Sequence, residues 1–154
     1  MRLQLPQQTL FYQLEKAMKR YRKLAQAIID GSGYDISINQ MILLMNLKEN
    51  PTATQVELAE LIFKDFASVA RMVDILVKKG FLKRKESKQD RRKKDLILTP
   101  TGNQVLEGIT PLVGEYRSMA LKGFAKEEIQ QMSAFLEKLI KNCEEQVLAA
   151  SPIP

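Results

Sequence analysis

Between Thr54 and Gly80 the sequence encodes two helices with room for no more than a tight turn between them, and this crowding restricts the fold more than any other feature. Thr54-Gln55-Val56-Glu57 is a capping box, in which the Thr54 hydroxyl can accept from the Glu57 amide while the Glu57 carboxylate reaches back. The spacing predicts a helix from that point, burying Leu58, Leu61 and Ile62, with small Ala59 admitting a second helix at close range. The pattern stops at Phe63-Lys64, and Asp65 is placed to cap the next helix. Val69, Met72, Val73, Leu76 and Val77 then recur at i, i+3, i+4, i+7 and i+8, one apolar face, until Gly80 closes the helix in the left-handed conformation. Two such helices across a tight turn make a helix-turn-helix.

The opposite face of the second helix carries Lys64, Ala67, Ser68, Arg71 and Lys78 on one stripe, at roughly 100° per residue. Its side chains are short at the N-terminal end, which lets a helix backbone approach base edges in a major groove, and Ser68 and Arg71 are the best readers. Beyond Gly80, Phe81 to Glu86 and Lys94 to Thr99 read as extended runs joined by the polar tip Ser87 to Lys93, a hairpin. Charge gathers here. The formal net charge is +6, yet Lys78 to Lys94 holds ten Lys or Arg against Glu86 and Asp90, which makes that segment +8 and the remainder −2. A local excess of this size argues for an anionic partner, nucleic acid being the commonest, against the plainer reading of a solvated charged hairpin.

In this order of helix, turn, helix and wing the chain resembles the MarR family of bacterial winged helix-turn-helix transcription regulators. The resemblance is carried by Ser68-Val69-Ala70-Arg71-Met72-Val73-Asp74, Lys79-Gly80-Phe81-Leu82-Lys83-Arg84, Asp90-x-Arg92 and Leu98-Thr99-Pro100-Thr101-Gly102. It implies a mainly α fold with a small β-hairpin wing: a winged helix-turn-helix lobe over 34–99, flanked by a helical dimerisation region over 1–33 and 100–150, within a single chain of 154 residues. It further implies a homodimer on a pseudo-palindromic duplex-DNA operator, acting as a ligand-responsive repressor. Base readout then falls to Ser68, Arg71, Ala67 and Lys64; the wing tip to Asp90 and Arg92, the aspartate orienting an arginine in the minor groove, with Arg91, Lys88 and Lys93 beside them; and phosphate contacts to Lys83 and Arg84. Family members commonly respond to small aromatic or phenolic molecules in the crevice between dimer base and winged lobes. Tyr12, Tyr21, Met41, Met45 and Tyr116 lie on helices able to face it, but each also reads as ordinary packing, so no ligand residue is assigned.

The flanks follow helical spacing. Leu10, Phe11, Leu14, Met18, Tyr21, Leu24, Ala25 and Ile28 form a wide stripe from about Gln7 to Ile29; periodicity alone leaves open whether it faces another subunit or only its own core. Ser37-Ile38-Asn39-Gln40 is a second capping box, opening a short buried helix with Met41, Ile42, Leu44, Met45 and Leu47 that ends before Asn50-Pro51. Thr99 and Pro100 make an N-cap and first helical residue, and the helix they open, running to about Lys122-Gly123, is expected to kink between Gly108 and Pro111. The last helix spans about Ala125 to Leu148 and lacks a hydroxyl cap at Ala125. Its apolar face includes Cys143, which reads as a buried structural thiol.

Enzyme chemistry finds no support. Histidine is absent, no glycine-rich phosphate loop occurs, and adjacent pairs such as Glu127-Glu128 do not face each other across a cleft. No cofactor and no metal are expected. A single cysteine permits no intramolecular disulfide, and no apolar run has the ~18 residues of a membrane-spanning helix, so the expected location is cytoplasmic and no membrane partner is implied. The competing binding reading is a winged-helix module that engages protein, or architectural DNA without regard to sequence.

Overall fold

The computed structural model describes residue 7, residues 9–86 and residues 94–150, with side chains at all of these except 94 and 148–150. In chain order the elements are α1 (Leu10–Gly31), α2 (Ile38–Glu49), α3 (Gln55–Leu61), α4 (Phe66–Lys78), β1 (Leu82–Glu86), β2 (Lys94–Leu98), α5 (Pro100–Ala120) and α6 (Lys126–Ala150). Contacts divide the chain into two compact units, Met1–Arg117 and Ser118–Pro154.

In the first unit the caps predicted from sequence set the helix starts. Ser37 and Thr54 each form both halves of a capping box, with Gln40 and Glu57 respectively. α2 gains a further restraint from α1: Gln26 Oε1 accepts the Ile38 amide at 2.8 Å, and Arg22 donates to Asn39 at 2.9 Å. The first satisfies a donor that a helix start leaves open, and together they fix α1 against the beginning of α2. α2 itself is buried on more than one side, through Ile38, Gln40, Met41, Leu43, Leu44 and Leu47, so Leu43 joins the set that spacing suggested.

Leu58, Ala59 and Ile62 of the next segment face Val69, Val73 and Leu76 of α4 in the same core cluster. Leu61, expected inside, is 46% exposed. At about 100° per residue the three buried positions centre near Ala59 and Ile62, leaving Leu61 about 100° off their axis, and a helix of two turns has only one side to bury. The turn to α4 closes with Lys64 donating its amide to the Ala59 carbonyl at 2.9 Å, and Phe63 adopts φ 55, a left-handed conformation that costs a side-chain-bearing residue about 1–2 kcal/mol. α4 ends as expected, with Gly80 at φ 74 and the Phe81 amide bonded to the Leu76 carbonyl at 2.9 Å.

β1 and β2 pair antiparallel, Leu82 opposite Leu98 and Glu86 opposite Lys94. Leu82 and Leu96 insert into the core, which seats the base of the hairpin on the helices. Thr99 then links hairpin to α5: its hydroxyl donates to the Gly80 carbonyl at 2.6 Å and accepts the Gly102 amide at 3.0 Å. α5 runs through Pro111 as a single helix. Gly108 has a packing reason of its own: a Cβ there would stand 1.8 Å from the Tyr34 hydroxyl oxygen. Tyr116 of α5 meets Tyr21 of α1 edge to face, ring centroids 5.6 Å apart, and burial raises the Tyr116 phenol pKa.

In the second unit α6 starts without a hydroxyl cap, and Glu128 takes over, accepting the Ala125 amide at 2.7 Å. Along α6, Phe135, Ile140 and Val147 are exposed, and so is Cys143, which corrects the expectation of a buried thiol. The apolar side chains on this helix are spaced for burial, yet among the described residues Ile129 and Leu139 are half-buried while Phe135 and Ile140 stand exposed. The first half of α1 is in the same condition, with Leu10, Phe11 and Met18 exposed while Ala25 and Ile29 near its end are fully buried. No helix of the described residues is long and apolar enough to cross a membrane.

Candidate nucleic-acid interface

The start of α4 is built by Asp65. Its carboxylate accepts the Ser68 amide at 2.8 Å and the Ser68 hydroxyl at 2.6 Å. These hydrogen bonds, the hydroxyl's first and the amide's second, hold the Asp65 carboxyl below the usual carboxylate range. Ser68 therefore spends its hydroxyl hydrogen on the cap, which leaves oxygen lone pairs as its means of meeting a base or an amide donor. Glu57 at the start of α3 is likewise lowered, by bonds from the Thr54 amide and then its hydroxyl.

With the core face of α4 turned inward, Ala67 and Arg71 are exposed and Ser68 is half-buried. Arg71 Nε donates to the Ala67 carbonyl at 3.3 Å, which lays the side chain back along its own helix toward the N-terminal turn. Lys78 is exposed in the last turn, about 10 Å along the axis from Arg71. Lys64 differs from its expected place: it stands in the turn before Asp65, exposed, ahead of the helix.

On the hairpin, Lys83 is exposed, whereas Arg84 donates from Nη2 to Asp74 Oδ1 on α4 at 2.6 Å. Lys88, Asp90, Arg91, Arg92 and Lys93 lie outside the described residues. The remaining clamp on α4 is at its C-cap, where Lys79 donates to the Asp35 carbonyl at 2.7 Å and pairs with its carboxylate at 2.9 Å.

Two features of this surface were not singled out from the sequence. Asp74 is one, an acid on the exposed side of α4 next to the most cationic stretch of the chain; its charge sign against that background was the available signal. The other is a groove of roughly 380 Å³ between the start of α3 and the wing base, lined among others by Thr54, Gln55, Val56, Phe66 and Asp95. Phe66 is 54% exposed there, and nothing in its spacing separates it from a core residue. Among the described residues no group of three His, Cys, Asp or Glu is placed to hold a metal ion.

Residues 36–94 match the MarR family. The uncharacterized HTH-type transcriptional regulator YybA of Bacillus subtilis is 33% identical over 120 residues, 75% of this chain and 77% of that protein. BpsR of Bordetella bronchiseptica, whose DNA binding is regulated by 6-hydroxynicotinic acid, superposes with a TM-score of 0.80 at 20% identity over 90% of this chain and 97% of its own. A mutant MarR of E. coli complexed with operator DNA gives a TM-score of 0.78 at 24% identity, covering 84% of this chain and 92% of that one. These two likenesses show the fold, and the relation to YybA reaches across the winged lobe into its flanks. The chain is thus a transcription regulator and not an enzyme, and it belongs to the MarR family.

Proposed function

We propose that two copies of the chain form a repressor that reads a pseudo-palindromic duplex, each inserting α4 into a major groove and its wing into the adjacent minor groove. In this reading 34–99 is the DNA-binding lobe, and 1–33 with 100–150 is the dimerisation region. The observation that carries it is the stripe of exposed Ala67 and Arg71 with half-buried Ser68 on a helix capped by Asp65, beside a segment with a charge of +8. A two-fold pair presents its reading helices about 34–36 Å apart, the repeat of B-form DNA. The uncovered apolar side chains of α1 and α6 support self-association, since patches of that kind normally mark an interface.

Arg71 is the base reader, because a guanidinium can bond guanine twice, and Ser68 and Ala67 allow the approach. Lys64, Lys83, Lys88, Arg91 and Lys93 neutralise phosphates, while Asp90 orients Arg92 at the wing tip. A small aromatic effector completes the reading, supported by the control of BpsR by 6-hydroxynicotinic acid. The test is fluorescence anisotropy against a palindrome selected from a random pool, with and without a panel of aromatic acids. Equal affinity for selected and random duplexes sinks sequence-specific binding and leaves the architectural reading; an unmoved curve across the acid panel removes the effector.

A further inference from the structure

We propose that Arg84 serves DNA binding through Asp74, as a positioning residue that holds the wing at a fixed offset from the reading helix, and not as a phosphate contact. The proposal rests on the reading that α4 and the wing engage one duplex.

Three observations carry it. The first is the bond itself: Arg84 Nη2 lies 2.6 Å from Asp74 Oδ1, with 31% of the arginine side chain exposed. Of the ion pairs between described residues, the others join Glu15 to Lys19, Asp35 to Lys79 and Lys141 to Glu145, so this is the one that ties hairpin to α4. The second is strand alternation. Arg84 shares a face of β1 with Leu82 and stands opposite Leu96, both of them buried, whereas Lys83 and Lys85 point to the other face. An arginine on the covered side of the hairpin is aimed at the helix, and the lysines are left for phosphates.

The third is the placement of Asp74. It falls one turn from both Arg71 and Lys78, on the flank of α4 that approaches DNA in the proposed complex. A carboxylate there repels phosphate. Its presence makes sense as a tether, because past Leu82 every residue of β1 is exposed, and on the paired strand the core anchor is Leu96, opposite Arg84 itself, which leaves the outer part of the hairpin to be steadied by this bond. Two contacts in neighbouring grooves form together only if their spacing is set beforehand. Loosening the wing adds an ordering cost to each binding event.

The sign of one substitution separates this from simple electrostatics. Asp74→Asn removes a negative charge beside DNA, which by charge alone tightens binding to every duplex. A lost tether instead weakens the selected palindrome, by roughly three- to tenfold for a partly exposed pair acting on a preorganised contact. The expected pattern has three parts: Asp74→Asn and Arg84→Gln both weaken binding to the selected palindrome, the double variant is no worse than Arg84→Gln, and the exchange Asp74→Arg with Arg84→Asp recovers affinity. In the free protein, hydrogen exchange of the β1 amides is expected to quicken in Asp74→Asn with the melting temperature of the core little changed. Tighter or unchanged binding by Asp74→Asn, an unaltered β1 exchange rate, or a salt slope lowered by about 0.9 in Arg84→Gln whatever residue occupies 74, overturns the proposal. If the exchanged variant does not fold, the Asn and Gln cycle decides. A wild type without preference for the selected duplex defeats the proposed function, and the exchange measurement on free protein still tests the tether.

Discussion

Replacing Gly108 by alanine is expected to destabilise the protein, against the usual direction for a glycine inside a helix. On propensity alone the change gains about 1 kcal/mol, because alanine loses less backbone freedom. Packing at this position opposes that gain, because the half-buried Tyr34 ring has to move aside for the new methyl group. An added Cβ would stand 1.8 Å from the Tyr34 hydroxyl oxygen and 2.6 Å from the ring carbon that bears it, so the ring must retreat before contact becomes ordinary. Overfilling a packed site costs about 1–3 kcal/mol, which leaves a net loss of up to about 2 kcal/mol. For a chain of this length that is a fall of several degrees in melting temperature, at about 2–4 °C per kcal/mol. The assay is a double-mutant cycle with Tyr34→Ala, melted at one protein concentration. In the Tyr34→Ala background the obstacle is gone, and Gly108→Ala should stabilise by its propensity gain. The coupling energy then equals the overpacking cost, within the range of about 0.5–3 kcal/mol found for residues in contact. A rise in melting temperature for Gly108→Ala alone, or additive effects in the cycle, refutes the account of why glycine stands there.

Further outcomes test the interface and its supports. Arg71→Ala should relax preference at one base pair of the selected site, whereas Lys83→Ala should weaken all duplexes alike and lower the salt slope by about 0.9; uniform loss in both sinks the role of Arg71. Phe135→Glu on the exposed face of α6 should shift sedimentation from dimer to monomer at micromolar concentration, and an unchanged dimer removes that face from the interface. Asp65 and Glu57 have pKa values lowered in the folded chain, so what they contribute to stability is present above the unfolded carboxylate range and lost as pH falls through their folded values. Melting at pH 7 and pH 3 should therefore show Asp65→Asn differing from wild type at the higher pH and converging with it at the lower; a constant difference contradicts the cap's charge.

Local chemistry made most of this fold readable. A capping box needs only four residues, so Ser37 and Thr54 announce their helices in the sequence, and Gly80 announces an end because the left-handed conformation excludes most side chains. What sequence could not give depends on partners distant along the chain. Gly108 is explained by Tyr34 and Arg84 by Asp74, and neither pair lies within the window over which periodicity is read. Spacing misplaces Leu61 because a two-turn helix offers too few positions to fix the direction of its buried face. It misplaces Cys143 for a related reason: an apolar stripe reports that a face seeks cover, not that its own chain supplies it. The outward stripe of α4 is legible as soon as the core face is known, since the one is the complement of the other.

Thr99 has a consequence for how a signal would travel through the molecule. One side chain is bonded at once to the carbonyl that follows α4 and to the amide of the first turn of α5, while its own amide holds the Phe81 carbonyl at the root of the hairpin. Gly102 presses so close to that same carbonyl oxygen that a Cβ would fall 2.3 Å from it, which leaves no slack at the crossing. A tilt of α5 at its first turn must break a bond here or carry the end of α4 and the hairpin root along with it. The joint is thus cross-braced: one threonine and one close-packed glycine tie the first turn of α5 to the end of α4 and the root of the hairpin.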